Sequence, residues 1–184
     1  MQVWLITTAL CGASVLVASS PALARVQTVA PQGFEVVEAA TVNASADKLY
    51  ELITEPSRWW SSEHTYSGSA ANLVLAPHAG GCFCEKLKDD GSVQHMTVTY
   101  AAPGQALRLR GALGPLQGEG ADGALTFTLK PSEGETALSV SYVVGGYLRK
   151  GPAYWAPLVD KVLNEQIARL KRYAETRSPE ITKP

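Results

Sequence analysis

The sequence predicts one α+β domain in which a strongly curved antiparallel sheet of seven strands wraps around a long C-terminal helix. Residues 72–146 alternate between strand-like runs and turn signals, and no helical period interrupts them. From residue 152 onward, the apolar residues instead recur with the period of a helix. A helix with one apolar stripe must bury that stripe against the apolar face of a curved sheet, so these observations together predict the architecture.

The first 24 residues are predicted to be a signal peptide that is cleaved after Ala24. They carry no charged side chain, contain an apolar run at 3–17 and end in Ala22-Leu23-Ala24. An uncleaved membrane anchor is the weaker alternative, because the run is short for a membrane span and is interrupted by polar residues and glycine. The protein is therefore predicted to be periplasmic or secreted.

Without this segment the chain has 184 − 24 = 160 residues, which is enough for one domain with a sizeable core. The formal net charge stays at −1, because the removed segment has no charged residue. A nearly neutral chain lacks the basic surface that nucleic acid binding requires, so no nucleic acid partner is predicted. Residues 25–33 are predicted to be a flexible leader, residues 34–176 the domain and residues 177–184 a frayed tail.

The first strand, at 34–42, ends before Asn43 and Ser45, and either residue can cap a helix. Apolar residues spaced i, i+3, i+4 predict a short helix at 49–53, and Pro56 opens a second short helix. Six strands follow, at 72–76, 81–88, 92–101, 105–112, 124–130 and 135–145. Apolar and polar residues alternate in the last two strands, so each strand is expected to have one buried and one wet face.

The final element is predicted to be a long amphipathic helix with Pro152 or Pro157 in its first turn. Its apolar stripe consists of Trp155, Leu158, Val159, Val162, Leu163, Ile167, Leu170 and Ala174.

This order of elements resembles the START-like, or SRPBCC, superfamily with its helix-grip fold, which includes the birch-pollen allergen, polyketide cyclases and Hsp90-ATPase activators. Trp59-Trp60, the motif GGCFCE at 80–85 and the long closing helix are similar to the bacterial polyketide cyclase and Hsp90-activator branch. The resemblance covers about residues 34–175. It implies that a small, mostly apolar molecule such as a lipid, sterol, polyketide or hormone is held between the sheet and the long helix, and it implies no cofactor.

The densest group of aromatic and titratable residues is Trp59, Trp60, Glu63, His64 and Tyr66. It falls where the short helices of the predicted fold meet the sheet, so we interpret it as the mouth of the cavity. Indole faces would pack on the ligand, and His64 or Glu63 would supply a polar group. The alternative is that one tryptophan belongs to the core and that Glu63 and His64 lie in a solvated loop.

Glu85 stands in the middle of a predicted strand, where a carboxylate is uncommon unless it is paired or lies in a cavity. If it is buried, desolvation is expected to raise its pKa. The turn that follows this strand decides on which face of the sheet the Glu85 side chain lies. We place a two-residue turn at Asp90-Gly91, because a three-residue loop would direct two lysines into the core. The chosen turn pairs Glu85 with Met96 and Phe83 with Val98, and it directs Glu85 inward.

The same register directs Cys82, Cys84 and His95 to the outer face of the sheet. In a regular strand the Cβ atoms of the two cysteines would lie about 6.5 Å apart, whereas a disulfide requires about 3.8 Å, so no disulfide is predicted. The three residues are a weak candidate site for zinc or copper, because a structural metal site normally has four ligands.

These observations favour an exported binding protein over an enzyme. The predicted ligand-binding residues are Trp59, Trp60, His64, Phe83, Glu85, Met96, Tyr100, Phe127, Tyr142 and Trp155. The rival hypothesis is a cyclase- or hydrolase-like enzyme in which Glu85 and His64 act as acid and base in the same cavity. A protein-interaction module is a third hypothesis, which export disfavours because the chaperone partner of the resembling branch is cytosolic.

The glycine-rich segment 111–123 is open to two interpretations. It lies between two strands rather than between a strand and a helix, so it is not a phosphate loop. It is either a mobile gate over the cavity or a long hairpin connection. The chain also lacks the G-x-S-x-G motif of serine hydrolases.

Overall fold

The computed structural model describes residues 25–181, and it confirms the predicted α+β architecture. The predicted signal peptide lies outside the described residues. The elements are β1 (Arg25–Ala30), β2 (Gly33–Val42), α1 (Ala46–Ile53), β3 (Leu73–Leu75), β4 (Cys82–Lys86), β5 (Ser92–Ala102), β6 (Ala106–Gly111), β7 (Gly120–Ser132), β8 (Glu135–Tyr147) and α2 (Pro152–Thr176). Short 3-10 turns occur at Pro56–Arg58, Ser62–His64, Ala70–Asn72 and Gly114–Gly118.

The eight strands form one antiparallel sheet in the order β1-β2-β8-β7-β6-β5-β4-β3. The long helix α2 has Pro152 in its first turn and packs against β1 and β2. Its buried residues are Ala156, Leu163, Gln166, Ile167 and Leu170. Helix α1 is capped by Ser45, whose hydroxyl accepts from Lys48 N at 3.3 Å. Across residues 25–181, the structure contains no helix with the length and apolar character needed to cross a bilayer.

Strand β1 replaces the flexible leader that the sequence predicts at residues 25–33. It pairs with β2 through a tight hairpin at Pro31 and Gln32. The register shifts between Val26 and Thr28, and such a bulge breaks the alternation of side chains by which a strand is recognised. The leader prediction is therefore wrong for this segment, and the sheet has eight strands rather than seven.

The chain after α2 also differs from its prediction. Arg169 Nη2 lies 2.7 Å from Glu180 Oε1, and Arg172 Nε donates to the carbonyl oxygen of Pro179 at 2.8 Å. These contacts hold the chain against the helix. The frayed tail predicted at 177–184 is therefore wrong as far as residue 181, and the last three residues lie outside the described part of the chain.

The hairpin between β4 and β5 turns one residue earlier than predicted. Asp89 and Asp90 have positive φ angles of 56° and 60°, and Gly91 N donates to Lys88 O at 3.0 Å. Two consecutive left-handed residues define the two-residue turn that suits the twist of a hairpin, and aspartate tolerates this conformation. The two-residue length is thus correct, but its position at Asp90-Gly91 is wrong.

The pairing of β4 with β5 contains a bulge that changes the inner face of the sheet. Glu85 pairs with Val93 and Phe83 with Met96, so neither pair predicted for Glu85 and Phe83 forms. His95 is an extra residue of β5 between these pairs and has no partner in β4. Both His95 and Met96 are consequently buried, at 6% and 1% exposure. The prediction that His95 lies on the outer face is wrong.

Cys82 and Cys84 are half-buried on the outer face of β4, alternating with the buried residues Phe83 and Glu85. Contrary to prediction, they form a disulfide. Their Cα atoms lie 5.4 Å apart, closer than the roughly 6.6 Å of a regular strand, because the register shifts between Phe83 and Cys84. Since His95 lies on the other face, the predicted zinc or copper ligands do not converge. Within residues 25–181, no group of three or more His, Cys, Asp or Glu side chains could hold a metal ion.

Candidate ligand-binding cavity

A cavity of about 380 Å³ lies between the first half of α2, the turns at Ser62–His64 and Gly114–Gly118, and strands β3 to β5. Its size falls within the roughly 300–1,000 Å³ of small-molecule sites. Aliphatic and aromatic side chains form most of the wall. The lining residues are Trp60, Glu63, His64, Thr65, Tyr66, Leu73, Phe83, His95, Leu113, Gly114, Pro115, Leu116, Trp155, Leu158, Val159, Val162 and Leu163.

Four of the predicted ligand-binding residues line this cavity, namely Trp60, His64, Phe83 and Trp155. The predicted mouth is therefore part of the wall, except for one tryptophan. Trp59 is a core residue with 2% exposure, and its indole nitrogen donates to the carbonyl of Leu52 at 2.8 Å.

Met96, Phe127 and Tyr142 also face inward, but they belong to the core and do not line the cavity. The inner face of the sheet is larger than the cavity. Near Phe127, the side chains of Ile53 and Trp59 occupy the concave side of the sheet. Side-chain alternation shows which residues point inward, but it does not show which of them are covered by other side chains.

Tyr100 is 49% exposed and lies outside the cavity. A second register shift in β5, between Val98 and Tyr100, turns this side chain away from the core. The guanidinium of Arg108 lies 5.8 Å from its ring centroid. The prediction of Tyr100 as a wall residue is wrong for the same reason as the prediction for His95.

Tyr142 supports the wall from behind. Its hydroxyl donates to the carbonyl of Gly111 at 3.1 Å and accepts from Leu113 N at 3.2 Å. Burial raises the pKa of this phenol, so it remains protonated and able to donate. The hydrogen bonds hold the start of the glycine-rich segment against the sheet, and Leu113 to Leu116 of that segment form one side of the cavity.

Glu85 is completely buried behind the wall, and its carboxylate accepts three hydrogen bonds. The donors are Tyr66 N at 3.1 Å, Ser67 N, and His95 Nε2 at 3.0 Å. Burial alone would raise the pKa of Glu85, but the hydrogen bonds from Ser67, Tyr66 and His95 outweigh it and lower the pKa. The expectation of a raised pKa is therefore wrong, and Glu85 is an ionised anchor for the loop that contains Tyr66.

His95 connects this anchor to the cavity. Its ring lines the wall beside Phe83 and Tyr66, with centroid distances of 5.0 Å and 6.0 Å. Burial lowers the pKa of His95, and this effect outweighs the opposing influence of Glu85, so the imidazole is neutral. An ionised carboxylate can only accept, so the proton resides on Nε2 and Nδ1 is an acceptor. Gln117 Nε2 lies 3.3 Å from Nδ1 and donates to it.

His64 does not contact Glu85, so the predicted acid–base pair of these two residues does not form. Its Nε2 lies 3.0 Å from Glu165 Oε2 on α2, and its carbonyl accepts from Trp60 Nε1 at 3.0 Å. Burial would raise the pKa of Glu165, but hydrogen bonds from His64 and Ser61 lower it. These contacts attach the mouth of the cavity to the long helix.

The charge of the wall limits what it can bind. Glu63, His64, Tyr66 and His95 are its titratable residues, and no lysine or arginine is among the described residues that line the cavity. Glu85 adds a negative charge directly behind His95. The cavity is therefore largely apolar, and its polar side chains include a carboxylate and two imidazoles but no lysine or arginine.

Sequence reasoning missed His95 and the wall formed by Leu113 to Leu116. No pattern in the sequence marks the bulge that turns His95 inward. The residues of α2 that line the cavity were visible as part of its apolar stripe, although they were expected to cover the sheet. Leu158 lines the cavity and is 45% exposed, so the stripe is wider than the sheet can cover.

A family model described as polyketide cyclase / dehydrase and lipid transport matches residues 33–175. The match extends from β2 almost to the end of α2, so it includes every residue that lines the cavity. No curated protein matches the chain in sequence.

Solved structures resemble this fold at low sequence identity. A conserved protein of unknown function from Enterococcus faecalis has a TM-score of 0.57 and 18% identity, over 89% of this chain and 83% of that one. CalU16 from Micromonospora echinospora has a TM-score of 0.54 and 12% identity, over 84% of each chain. The Aha1 dimer from Colwellia psychrerythraea has a TM-score of 0.54 and 17% identity, over 77% of this chain and 96% of that one. At these identities the likeness shows the fold alone.

Proposed function

Because this chain belongs to the polyketide cyclase / dehydrase and lipid transport family of SRPBCC proteins, we propose that it is an exported protein that binds a small, mostly apolar molecule in its cavity. The observation that carries the proposal is the cavity of about 380 Å³ with a wall of aliphatic and aromatic side chains. Transfer of apolar surface from water into such a wall contributes about 25 cal/mol per Å². The hydrophobic effect is thus the main driving force for binding.

We expect Val162→Phe to weaken the binding of the uncharged dye N-phenylnaphthylamine by about tenfold or more, because the larger ring occupies ligand space. Val162 is half-buried and lines the cavity. Fluorescence titration of the purified protein measures the affinity. Val143→Phe is the matched control, since Val143 is 48% exposed on the sheet and does not line the cavity. Equal affinities in two folded variants would place dye binding elsewhere.

A second candidate function is acid–base catalysis in the same cavity, and the contact between Glu85 and His95 favours it. A neutral imidazole whose Nε2–H is bound by a carboxylate can accept a proton at its other nitrogen. Native mass spectrometry of protein purified from its own host would identify a co-purifying molecule. Recovery of that molecule unchanged after incubation with fresh protein supports binding, whereas its conversion by the native protein but not by His95→Gln favours catalysis.

Export is proposed from the N-terminal sequence, and two further features agree with it. The predicted cleavage after Ala24 would leave β1 intact, and the disulfide between Cys82 and Cys84 is of a kind that persists in oxidising compartments. We expect the full-length chain, expressed in a Gram-negative bacterium, to be recovered from the periplasm or the medium with Arg25 as its first residue. Intact-mass analysis measures this, and a full-length chain in the soluble cytoplasm would contradict export.

A further inference from the structure

The disulfide between Cys82 and Cys84 brackets a residue of the cavity wall. Phe83 lies between the two cysteines on the opposite face of β4, and it lines the cavity. Its ring centroid lies 5.8 Å from that of Trp60 and 5.0 Å from that of His95, and both of these rings are also part of the wall. The disulfide therefore constrains the backbone that positions an aromatic group of the wall.

The disulfide also spans the irregular point of the sheet. The register of β4 against β5 shifts between Phe83 and Cys84. The Cα atoms of the two cysteines lie 5.4 Å apart, whereas two residues of a regular strand advance by about 6.6 Å. The covalent bond holds the strand at this shorter advance, which the bulge accommodates. Reduction removes the constraint, so the segment is free to lengthen and to carry the Phe83 ring with it.

Strand β4 does not depend on this bond for its place in the sheet. It pairs with β3 on one side and with β5 on the other, and Glu85 at its end accepts three hydrogen bonds. The disulfide joins residues only two apart, and in the chain-entropy account the stabilisation by a cross-link grows with the length of the loop that it closes. We therefore expect the dithiol form to keep the fold and to differ mainly at the cavity wall.

A thiol reductant has access to the disulfide while a ligand occupies the cavity. Both cysteines are half-buried on the outer face of β4, whereas the cavity and α2 lie against the inner face. Cys84 pairs with Val74 in the edge strand β3 and with Gln94 in β5, and both of these neighbours are exposed. Reduction begins with the attack of a thiolate on one sulfur, which requires access of this kind.

We propose that Cys82 and Cys84 are a reversible redox site that controls the affinity of the cavity, and that the disulfide form binds the ligand more tightly than the dithiol form. This inference rests on the proposed binding function and adds its regulation. The disulfide form holds the Phe83 ring in one position, and a preorganised wall loses less conformational freedom when a ligand binds.

The co-reactant of this site is a dithiol. One thiolate of the dithiol attacks a cysteine sulfur, the S–S bond of the protein breaks, and the other cysteine leaves as a thiolate that takes up a proton. The second thiol of the reductant then attacks its own sulfur in the mixed disulfide and releases the first cysteine. The protein gains two electrons and two protons, and the reductant leaves as a disulfide.

Dithiothreitol is the dithiol of the test, and N-phenylnaphthylamine is the ligand. We expect reduction to weaken dye binding to the exported protein about tenfold, because the wall around Phe83 loses its fixed shape, and reoxidation to restore the affinity. Fluorescence titration measures the affinity, and circular dichroism measures the sheet content of each form. An equal or higher affinity of the dithiol form would overturn the inference and leave the binding function intact. Loss of the sheet on reduction would overturn it as well, and if the dye binds neither form, both proposals fail.

The double variant Cys82→Ser, Cys84→Ser has no disulfide to reduce. We expect it to bind the dye as weakly as the dithiol form does, and with the same affinity in the presence and absence of dithiothreitol. Cys11→Ser is the matched control, because Cys11 is the third cysteine of the sequence, and this variant should respond to dithiothreitol as the native protein does. A response that persists in the double variant would overturn the assignment.

A measurement on the native protein alone tests the same coupling, should the double variant fail to fold. A ligand that binds the disulfide form about tenfold more tightly must make that form about tenfold harder to reduce, because coupling between two equilibria is reciprocal. Saturating dye is therefore expected to raise about tenfold the ratio of reduced to oxidised dithiothreitol at which half of the protein is reduced. Alkylation of the free thiols followed by intact-mass analysis measures the reduced fraction. A ratio that the dye leaves unchanged would overturn the inference.

Discussion

Glu85→Ala is expected to destabilise the protein by about 3–5 kcal/mol, because it removes the common acceptor of three hydrogen bonds, one of them from a buried imidazole. The backbone nitrogens of Tyr66 and Ser67 and Nε2 of His95 all donate to this carboxylate, which has 0% exposure. Glu85→Gln keeps one acceptor oxygen and should cost less, about 1–2 kcal/mol. Urea denaturation at neutral pH measures both free energies of unfolding.

The stabilisation from Glu85 should depend on pH in a defined direction. The pKa of its carboxyl group is lowered in the folded protein, so its contribution is present above the ordinary carboxyl pKa of 4.5 and is lost as the pH falls through the folded pKa. The difference between native protein and Glu85→Ala should therefore shrink in acid. Glu133→Ala, at an exposed turn, is the control and should change stability by less than about 0.5 kcal/mol.

Hydrogen exchange supplies a local measurement of the same contact. We expect the amides of Tyr66 and Ser67 to lose protection in Glu85→Ala, because the carboxylate is the acceptor for both. Unchanged protection together with unchanged stability would show that the loop is held by other contacts. The Val162→Phe variant should leave these amides protected, since it fills the cavity without touching the carboxylate.

The direction of Glu85 was predictable, although its pairing was not. Whether a residue points inward is decided within its own strand, and burial of two lysines excluded the opposite face. Which residue of β5 pairs with Glu85 depends instead on the position of the turn and on every bulge between the turn and the pair. Asp89 and Asp90 form the turn one residue earlier than expected, and Glu85 still points inward.

The errors at His95 and Tyr100 have a common physical cause. His95 is itself the extra residue of one bulge in β5, and Tyr100 directly follows the extra residue of a second bulge, so the regular alternation of sides fails at both positions. A bulge is stabilised by contacts with neighbouring strands, in this case by the hydrogen bond from His95 to Glu85. Such contacts are between residues distant in sequence, so a periodic pattern cannot reveal them.

The fold was more predictable than the cavity for a similar reason. Alternation in β7 and β8 and the stripe of α2 identify the surfaces that must be covered, and these surfaces are buried. The cavity lies where the inner face of the sheet is left uncovered. Its position depends on how far α1, Trp59 and the glycine-rich segment extend across the sheet. Leu113 to Leu116 have no period, yet Tyr142 holds the start of their segment in place and makes them part of the wall.

A second buried carboxyl group, Glu38 on β2, is expected to have the opposite effect on stability. Its side chain has 2% exposure, its Oε2 accepts from Asn164 at 3.1 Å, and its Oε1 has no partner. Burial raises the pKa of Glu38 to about 7, the hydrogen bond from Asn164 opposes this, and the nearby Asp160 on α2 raises it further. The folded protein therefore binds this proton more tightly than the unfolded chain.

Glu38→Gln is accordingly expected to stabilise the protein in alkaline solution. A carboxyl group whose pKa rises from 4.5 to about 7 on folding imposes no penalty below 4.5, an increasing penalty up to 7 and the full penalty above it. A shift of this size corresponds to about 3 kcal/mol, and the glutamine oxygen can still accept from Asn164. The variant should therefore be about 2–3 kcal/mol more stable than the native protein near pH 8 and similar to it near pH 4.

The measurement is the free energy of unfolding in urea at several pH values between about 4 and about 8. The curves of native protein and Glu38→Gln should converge in acid and diverge as the pH rises through 7, because only the native protein must ionise a buried group. Glu35→Gln is the matched control, since Glu35 lies on the same strand with its side chain half-buried. If the Glu38→Gln and native curves run parallel over this range, Glu38 is ionised without cost in the folded protein, and its contacts with α2 must include a donor for Oε1.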